Sequence, residues 1–456
     1  MAVSVRAGDL AVGRPRAMAR TERGATQKAV RWHNLAGLLG HLHRHGPTSR
    51  AQLTKLLGLN RSTIGALVDD LISRRLVEEA AEPERGARGR PSKVVGVRSD
   101  TFSVIAVEIS DDAVSLAAVT LGGLIVGRER AALATDADRR LEHVVDQVAE
   151  LTARLLRRGQ GTRVLVGMGV AVPGAVRPSD GMVRFAPSLG WRDAPLGQRL
   201  HDALGLETVV RVGNDANLGA MAEHARGVAG GANDLVYVHA QAGVRGGIIA
   251  GGRILEGSSG YGGEIGHMQV NPFGVACPCG SRGCWATEAG ESALVRRAGL
   301  PPGGRSSVDV VLRRARAGDP TGVAAVQATA RWISAGLVNL VNSLNPEMLV
   351  LGGMFGDILE LAQPTIVEHL RRGIYDAEQQ PVVVAKPRFG REAALIGSAE
   401  LALQLILGDP TAVPVGPLAR SAPLGRPRRR LRLQPLAQPL RNVAWSRASP
   451  SPSARG

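Results

Sequence analysis

The three cysteines of the chain constrain its folding most, because all of them fall within eight consecutive residues. They are Cys277, Cys279 and Cys284, and His267 precedes the first of them by ten residues. Three cysteines in one short loop are too few and too close together for a disulfide framework. With the histidine they form a Cys3His set, which is typical of structural zinc, and the intervening glycines let the backbone fold around a tetrahedral ion. The sequence therefore predicts a zinc site in this loop.

Positive charge is concentrated at the two ends of the chain. Of the formal net charge of +16, residues 1 to 32 carry about +5, residues 33 to 98 about +5 and residues 410 to 456 about +9. Clustered positive charge indicates nucleic-acid binding, although the two tails are equally compatible with solvated arms. The chain has neither an apolar run long enough for a membrane helix nor a signal peptide at its start, so we expect a cytoplasmic protein with no membrane contact.

The pattern along the chain divides it into four parts. Residues 1 to 30 lack apolar periodicity and are predicted to be a disordered basic arm. Residues 31 to 98 carry helical patterns and then a turn rich in glycine, arginine and proline, as in a winged helix-turn-helix DNA-binding domain. Residues 99 to 409 form the main domain, and residues 410 to 456 are predicted to be a disordered tail rich in proline and arginine.

Two short helices with defined ends are predicted in the DNA-binding domain. Ser49 can cap the first helix, and Gln52, three residues later, completes a capping box. Gly58 supplies the turn, and Asn60 can cap the second helix. In a winged helix-turn-helix the start of the second helix meets base edges in the major groove, while the wing reaches phosphate or the minor groove. The predicted DNA contacts are Arg50, Gln52, Arg61, Ser62, Thr63, Arg88 and Arg90.

The pattern of the main domain predicts an α/β architecture. Strand patterns over residues 103 to 109, 114 to 120 and 124 to 128 are separated by turn dipeptides and predict an antiparallel meander. An amphipathic helix that starts near Leu141 and an apolar strand over residues 164 to 172 follow. Strand and helix patterns then alternate, with glycine-rich loops at the strand ends, where such folds bind ligands.

Five motifs of this domain occur in a characteristic order: Val172-Pro173-Gly174, Gly213-Asn214-Asp215-Ala216-Asn217, Gly263-Glu264-Ile265, Gly266-His267-Met268 with the cysteine loop, and Leu351-Gly352-Gly353. These motifs resemble those of the ROK family, which groups bacterial sugar repressors with sugar kinases. The resemblance covers roughly residues 33 to 405 and implies a two-lobed sugar-kinase fold of the actin-like, RNase H-like α/β type, preceded by the winged helix-turn-helix.

The resemblance also implies roles for individual residues. Asp215 takes the position of the kinase's catalytic base, and His267 takes the position that bridges sugar and zinc. Carboxylates and an amide fixed on loops match the ring of hydroxyls that a sugar offers. The implied sugar-binding residues are Asn214, Asp215, Glu264 and His267. The implied zinc ligands are His267, Cys277, Cys279 and Cys284.

Two departures from the family pattern argue against kinase activity. The family's kinases carry a Gly-Gly-Thr phosphate loop after the first strand, where this chain has Ser110-Asp111-Asp112, and two carboxylates there would repel phosphate. The second phosphate loop, normally Gly-Thr-Gly, is Gln241-Ala242-Gly243, and Arg245 replaces a further glycine. We therefore predict that the chain is not an enzyme.

Two further departures concern the sugar itself. After the last zinc cysteine the family has a hydrophobic residue and then a sugar-binding Glu, whereas Ala286 follows Trp285 here and Glu288 lies two residues further on. Ser188 stands where many members have Asn. One missing acceptor weakens binding by about 1 to 3 kcal/mol, which leaves open a weakly bound sugar, a modified sugar or an empty site.

The sequence thus predicts a transcriptional repressor of carbohydrate genes that releases its operator when a sugar or sugar phosphate closes the two lobes. Two alternatives stay open. Asp215 favours a hexose kinase with a regulatory N-terminus, and Ala286 favours a ligand-independent repressor with a vestigial sugar site. Because one winged module buries little surface, we expect a homodimer or homotetramer on a palindromic operator.

Overall fold

The part of the chain that the computed structural model describes comprises residues 27–81, 93–159, 163–205, 209–241, 243–379 and 381–413. Most of the basic arm, the tip of the wing and the C-terminal tail lie outside the described residues. Within them, no helix combines the length and the apolar character needed to cross a bilayer.

The N-terminal part consists of three helices and a three-stranded sheet. Its elements are α1 (Gln27–His45), β1 (Thr48–Ser49), α2 (Arg50–Leu57), α3 (Arg61–Ser73), β2 (Val77–Ala81) and β3 (Lys93–Val97). The first helix begins at Gln27, four residues before the expected start of the DNA-binding domain at residue 31. The buried leucines of α1 pack in one cluster with those of α3, so this packing stabilises α1.

The ends of α2 and α3 lie where capping chemistry predicts them. The Ser49 hydroxyl accepts the N–H of Gln52 at 3.3 Å, and the Gln52 side chain accepts the N–H of Ser49 at 3.0 Å, so the predicted capping box forms. Gly58 ends α2 in the left-handed region at φ 63°. Asn60 caps α3 by accepting the N–H of Thr63 at 2.8 Å. Two short helices are thereby joined by a tight turn.

The wing is an antiparallel hairpin of β2 and β3, with β1 on the other edge of β3. Arg50 ties this hairpin to both helices of the pair. Its guanidinium donates to Glu79 in β2 and, at 3.1 Å, to Asp69 in α3. The wing and the second helix therefore keep a fixed relative position.

The first lobe of the main part is a five-stranded sheet in the order β11-β7-β4-β5-β6, in which β4 to β6 are antiparallel and β7 and β11 run parallel to β4. A small antiparallel sheet, β8-β9-β10, follows β7, and α4 packs its apolar face on the large sheet. The elements are β4 (Phe102–Ile109), β5 (Ala113–Thr120), β6 (Ile125–Ala132), α4 (Leu141–Gly159), β7 (Val164–Val172), β8 (Ala175–Arg177), β9 (Met182–Ala186), β10 (Trp191–Ala194), α5 (Leu196–Leu204) and β11 (Val209–Asn214).

The second lobe repeats the strand order of the first. Its sheet runs β14-β13-β12-β15-β16, again an antiparallel meander followed by two strands parallel to the first. This two-lobed α/β arrangement is the predicted fold. The remaining elements are α6 (Asp215–Arg226), β12 (Leu235–Ala240), β13 (Val244–Ala250), β14 (Arg253–Ile254), α7 (Trp285–Ala289), α8 (Glu291–Arg297), α9 (Gly304–Arg316), α10 (Pro320–Leu344), β15 (Met348–Gly353), α11 (Met354–Gly373), β16 (Val383–Ala385) and α12 (Ala393–Gly408).

Two helices, α6 and α12, form the contact between the lobes. Helix α6 packs on the second sheet, α12 packs on the first, and the two helices pack on each other. They approach most closely at Gly397, where an added side-chain carbon would lie 1.8 Å from the carbonyl oxygen of Leu218. On the opposite side, a side chain at Gly169 of β7 would lie 1.8 Å from the carbonyl oxygen of Ser398. Helix α12 is therefore held between α6 and the first sheet.

Helix α12 also joins the lobes to the N-terminal part. One apolar cluster contains the buried leucines of α1, residues of β4 and β5, and most of the apolar residues of α12. Arg74, directly after α3, donates to the carbonyl of Thr411 at 3.0 Å. The helix-turn-helix therefore packs on the lobes through a shared core.

Candidate effector pocket, metal centre and DNA interface

The three cysteines and His267 form one cluster in the loop after β14. Their ligand atoms all lie within 4.8 Å of one another. Nδ1 of His267 is 3.6 Å from Sγ of Cys277, and Sγ of Cys279 is 3.7 Å from Sγ of Cys284. A tetrahedral zinc ion with Zn–S bonds of about 2.3 Å holds its sulfurs about 3.8 Å apart, so these residues fit the predicted ion.

The backbone of the metal loop is shaped by close contacts of its own. Gly283 has φ 63°, and a side-chain carbon there would lie 1.5 Å from the carbonyl oxygen of Asn271, so only glycine fits. Glu288 is buried, accepts the N–H of Val275 at 3.3 Å and lies 3.8 Å from Arg297. This carboxylate is therefore engaged in supporting the loop.

Two asparagines lie at the start of α6. Asn214 caps the helix by accepting the N–H of Ala216 at 2.9 Å and that of Asn217 at 3.0 Å. Its amide nitrogen donates to the carbonyl of Gly174 at 2.9 Å, which fixes α6 to the turn after β7. Among the described residues, the buried side-chain oxygen of Asn217 has no hydrogen-bond partner. Both asparagines line a cavity of about 480 Å³ beside β11 and α12, but the lining of this cavity does not include Asp215, Glu264 or His267.

Asp215 is paired with a cation of the chain itself. One carboxylate oxygen accepts the N–H of Ala216 at 2.8 Å, and the other accepts a hydrogen bond from the guanidinium of Arg245 in β13. Both side chains are about four-fifths buried, with 18% of Asp215 and 19% of Arg245 exposed. The resemblance assigns the kinase's base to this position, and here the carboxylate is held in an ion pair.

Glu264 and His267 lie on the turn between β14 and the metal loop. Glu264 directly precedes the short 3₁₀ turn Ile265–His267. Burial raises the pKa of the Glu264 carboxyl; His267 and Arg245 oppose that rise, and Asp215 adds to it. These four side chains are therefore near enough to interact, and the structure brings the predicted sugar residues of α6 and of this turn to one place.

A further acid, Glu108 at the end of β4, lies in the same region. Burial and the negative charge of Asp215 raise its pKa to about 7, against the opposing charge of Arg130. The carboxyl groups of Glu108, Asp215 and Glu264 therefore act on one another, and the guanidinium groups of Arg130 and Arg245 offset part of their repulsion.

The first phosphate-loop position is a closed turn between β4 and β5. The Ser110 hydroxyl donates to the carboxylate of Asp112 at 2.6 Å, and the Ser110 N–H donates to the carbonyl of Ala113 at 2.9 Å. Arg139 donates to the carbonyl of Asp111 at 2.9 Å. The turn thus uses its own backbone amide and presents two carboxylates where the family's kinases present a glycine-rich loop.

The second phosphate-loop position is the turn between β12 and β13. The N–H of Gln241 donates to the carbonyl of Gly243 at 2.9 Å, and the Gln241 side chain lies 3.4 Å from the His239 ring. Ala242 lies outside the described residues. The backbone N–H of Gln241 therefore donates its hydrogen bond within the turn.

The start of α3 presents polar side chains at the surface. Arg61 and Ser62 are exposed and Thr63 is half-buried, and the Ser62 hydroxyl donates to the side chain of Asn60 at 2.8 Å. This placement agrees with base contacts in a major groove, which stay a prediction.

The other predicted DNA contacts that the structure describes are not free side chains of this kind. Arg50 is held by Glu79 and Asp69, and Gln52 completes the capping box, so both side chains have structural partners inside the module. A phosphate contact by either residue would compete with these bonds and stays a prediction. The wing contacts assigned to Arg88 and Arg90 fall outside the described residues.

Comparison with known protein families shows to which family the two lobes belong. The model of the ROK family matches residues 104–405, which span β4 to most of α12. The chain belongs to the ROK family. The model of the MarR family matches residues 36–88, which include α2, α3 and the first strand of the wing.

Relatives of this ROK protein include regulators and kinases. The xylose repressor of Bacillus spizizenii is 26% identical over 384 residues, which cover 84% of this chain and 98% of the repressor. The DNA-binding transcriptional repressor Mlc of Escherichia coli is 26% identical over 365 residues, 78% of this chain and 89% of Mlc. A glucokinase of Streptomyces coelicolor is 32% identical over 283 residues, 57% of this chain and 86% of the kinase. These two repressors thus align over more of the chain than the glucokinase does.

Solved structures show the same fold. A ROK family transcriptional regulator, a homologue of E. coli Mlc, has a TM-score of 0.68, 22% identity and coverage of 83% of this chain and 97% of its own. The ROK glucokinase of Streptomyces griseus in complex with glucose and AMPPNP has a TM-score of 0.57, 31% identity and coverage of 66% and 99%.

Sequence reasoning missed two polar groups of this ROK site. It identified Arg245 as a bulky cation in a phosphate loop but not as the partner of Asp215. The signal was present, because an arginine between glycines and apolar residues of a buried strand requires a counter-charge. It also left Asn217 unassigned, since its unpartnered oxygen depends on how α6 packs against the turn at Gly263.

Proposed function

We propose that this ROK protein is a sugar-responsive transcriptional repressor whose lobes bind a sugar without phosphorylating it. The observation that carries the proposal is the buried pair of Arg245 and Asp215. A kinase needs Asp215 as a base and open loops for phosphate, whereas a sensor needs only groups that bind hydroxyls. The ion pair engages the Asp215 carboxylate that a kinase would use as a base, whereas the groups that can bind hydroxyls remain.

The pocket offers several partners to a neutral sugar. The Asp215 and Arg245 pair supplies a fixed acceptor and donor, Glu264 supplies an acceptor, and the unpartnered oxygen of Asn217 would accept a hydroxyl. Zinc held by His267 and the three cysteines would fix the ring of His267 and the turn that carries Glu264. The relatives include a xylose repressor and glucokinases, so D-xylose and D-glucose are the first effectors to test.

DNA binding would use the surface at the start of α3. Arg61, Ser62 and Thr63 would contact bases, and the wing with Arg88 and Arg90 would contact phosphate or the minor groove. We propose that two copies of the chain bind a palindromic operator as a homodimer or within a homotetramer.

A second proposal, a ligand-independent repressor, is favoured by Ala286 and by Glu288, which is buried in the metal loop. In that case DNA binding would not respond to any sugar.

One experiment separates these functions. An operator is selected from random duplexes with the purified full chain, and its Kd is measured by anisotropy with D-xylose, D-glucose, amino sugars and the corresponding phosphates, without ATP. For a sugar-responsive repressor we expect one ligand to raise the operator Kd at least about fivefold. An unchanged Kd with every sugar would support the vestigial site. A separate assay with ATP that showed ADP release together with a sugar phosphate would establish a kinase.

A further inference from the structure

A buried polar cluster connects α6, α12 and α1. It consists of His43 in α1, Gly122 in the turn after β5, Arg226 at the end of α6 and Glu400 in α12, and we call it the junction. One oxygen of Glu400 accepts a hydrogen bond from Nε of Arg226 at 2.6 Å, and the other lies 2.9 Å from Nε2 of His43. The N–H of Gly122 donates to Nδ1 of His43 at 2.9 Å. Three helices therefore meet at one carboxylate, and the turn after β5 joins them through His43.

The hydrogen bonds define the state of these groups. Because the Gly122 N–H can only donate, Nδ1 of His43 accepts, and the ring donates to Glu400 from Nε2. Burial would raise the pKa of Glu400, but the hydrogen bonds from His43 and Arg226 and the charge of Arg226 lower it below its ordinary value. Although only 3% of Glu400 is exposed, its carboxylate therefore stays ionised and depends on both partners.

Helix α6 links the junction to the predicted effector pocket. Asp215 is its first residue and Arg226 its last, about 17 Å apart along the axis. The crossing with α12 lies between them, at Leu218 and Gly397. Arg226 is about 12 Å from the crossing along α6, so a rotation of about 10° at the crossing moves Arg226 by about 2 Å. A displacement of that size breaks a hydrogen bond of 2.6 Å.

The other side of the junction leads to the recognition helix. His43 lies on α1, whose leucines share a core with α3. Asp70 of α3 accepts hydrogen bonds at 2.8 Å from both Arg31 of α1 and Arg74. Arg74 in turn donates to Thr411, just beyond α12. A change in the position of α12 or α1 is therefore transmitted to α3 through packed side chains.

We infer that the junction couples the effector pocket to the DNA-binding surface. Movement of the lobes about the crossing of α6 and α12 changes the contact of Arg226 with Glu400. This in turn changes the position of α1 and α3. The inference rests on the proposed function for the identity of the effector. Arg226, Glu400 and His43 are positioning residues, because they act through the helices that carry them.

The test compares Arg226→Ala with Arg199→Ala in the full chain. Arg199 also forms an ion pair, with Glu142, but on the surface of the first lobe, so its variant controls for the loss of a charge. For each protein, sugar affinity is measured by calorimetry, and the Kd of the selected operator is measured with and without saturating D-xylose or D-glucose.

The ratio of the two operator Kd values is the decisive readout, since a merely structural residue would change both values together. We expect the wild type and Arg199→Ala to show a ratio of at least about 5, and Arg226→Ala a ratio below about 2. Sugar affinity should stay within about twofold of wild type, whereas the sugar-free operator Kd should shift toward the sugar-bound value, because the variant already lacks the contact with Glu400. Arg226→Lys should restore part of the ratio, and Arg226→Gln replaces the alanine variant if that variant does not fold. A wild-type ratio in Arg226→Ala or, in that case, in Arg226→Gln would overturn the inference.

Hydrogen exchange tests the coupling without any sugar. If the pocket and the DNA surface are coupled, operator binding must also alter exchange in residues 215–226. We expect this change in the wild type and its loss in Arg226→Ala or Arg226→Gln. The absence of a change in the wild type overturns the coupling, whereas a wild type that ignores every sugar but shows the change overturns only the proposed effector response.

Discussion

The guanidinium of Arg245 in β13 donates a hydrogen bond to the carboxylate of Asp215 at the first residue of α6. We proposed that Asp215 takes the place of a kinase's base, and in this chain its carboxylate is paired with a cation. The turn between β4 and β5 carries the two carboxylates of Asp111 and Asp112, which we predict to disfavour phosphate.

We predict that the wild type does not phosphorylate hexoses or xylose and does not bind ATP in calorimetry. Arg245→Gly should not restore turnover, because it frees Asp215 but leaves both carboxylates of the first turn in place. A coupled assay for ADP release over a sugar panel measures this. ATP turnover by the wild type would contradict the sensor function, and turnover by Arg245→Gly alone would show that the first turn is no barrier.

Asp215→Asn should abolish the effect of the sugar on operator affinity while leaving the sugar-free Kd unchanged. The substitution removes the charge that both Arg245 and a sugar hydroxyl contact, but it lies outside the helix-turn-helix. Asp202→Asn, at an exposed position of α5, is the matched control. Normal induction in Asp215→Asn would favour a vestigial pocket.

The purified chain should contain about one zinc ion per molecule. Cys279→Ser should lower both the zinc content and the melting temperature, because the site loses one of four ligands. Ser281→Ala in the same loop should change neither. Inductively coupled plasma mass spectrometry and thermal unfolding give the two values, and a chain purified without chelator that contains no zinc would contradict the site.

Arg61→Ala and Arg90→Ala should weaken operator binding in different ways. Arg61 lies exposed at the start of α3. Its loss should therefore weaken binding to the preferred operator by about 1 to 3 kcal/mol and reduce the preference for one base at one position. Arg90 is predicted to contact the backbone of the DNA, so its loss should act uniformly and reduce the slope of log Kd against log salt by about 1. Anisotropy titrations from about 50 to 200 mM salt measure both effects. Wild-type binding by both variants would show that the module binds DNA differently or not at all.

Glu108 should make stability fall as pH rises. Its pKa is about 7 in the folded chain against 4.5 for an ordinary glutamate, so the folded chain holds the extra proton between these values. Stability contributed by the protonated form is full below about pH 4.5 and is lost as pH rises through about 7, with a total of at most about 3 kcal/mol. Glu108→Gln should remove this part of the pH dependence in thermal unfolding between pH 5 and 7.5. Identical slopes for the variant and the wild type would exclude a proton on Glu108.

Local signals in the sequence predicted the local structure well. The capping box at Ser49, the cap at Asn60 and the turn at Gly58 act within four residues of the helix ends that they define. The cysteine loop likewise brings its ligands together over a short stretch of chain. The meander over β4 to β6 was predicted, although β6 extends to Ala132 rather than ending near residue 128.

Long-range polar contacts could not be predicted in the same way. His43 and Glu400 are 357 residues apart, and each stands alone on an otherwise apolar helix face. A single glutamate in the apolar run of α12 indicates a buried partner, but the pattern cannot say which residue it is. The partner depends on how α1 packs on α12, which no local periodicity encodes.

The shared core around α12 has a consequence for the evolution of such proteins. Without the N-terminal part, the chain would expose to water the side of α12 that α1 covers here. That side is apolar around the single acid Glu400, so the N-terminal part and α12 depend on each other. We expect that modules exchanged between relatives yield soluble chimeras only when the last helix is exchanged with them.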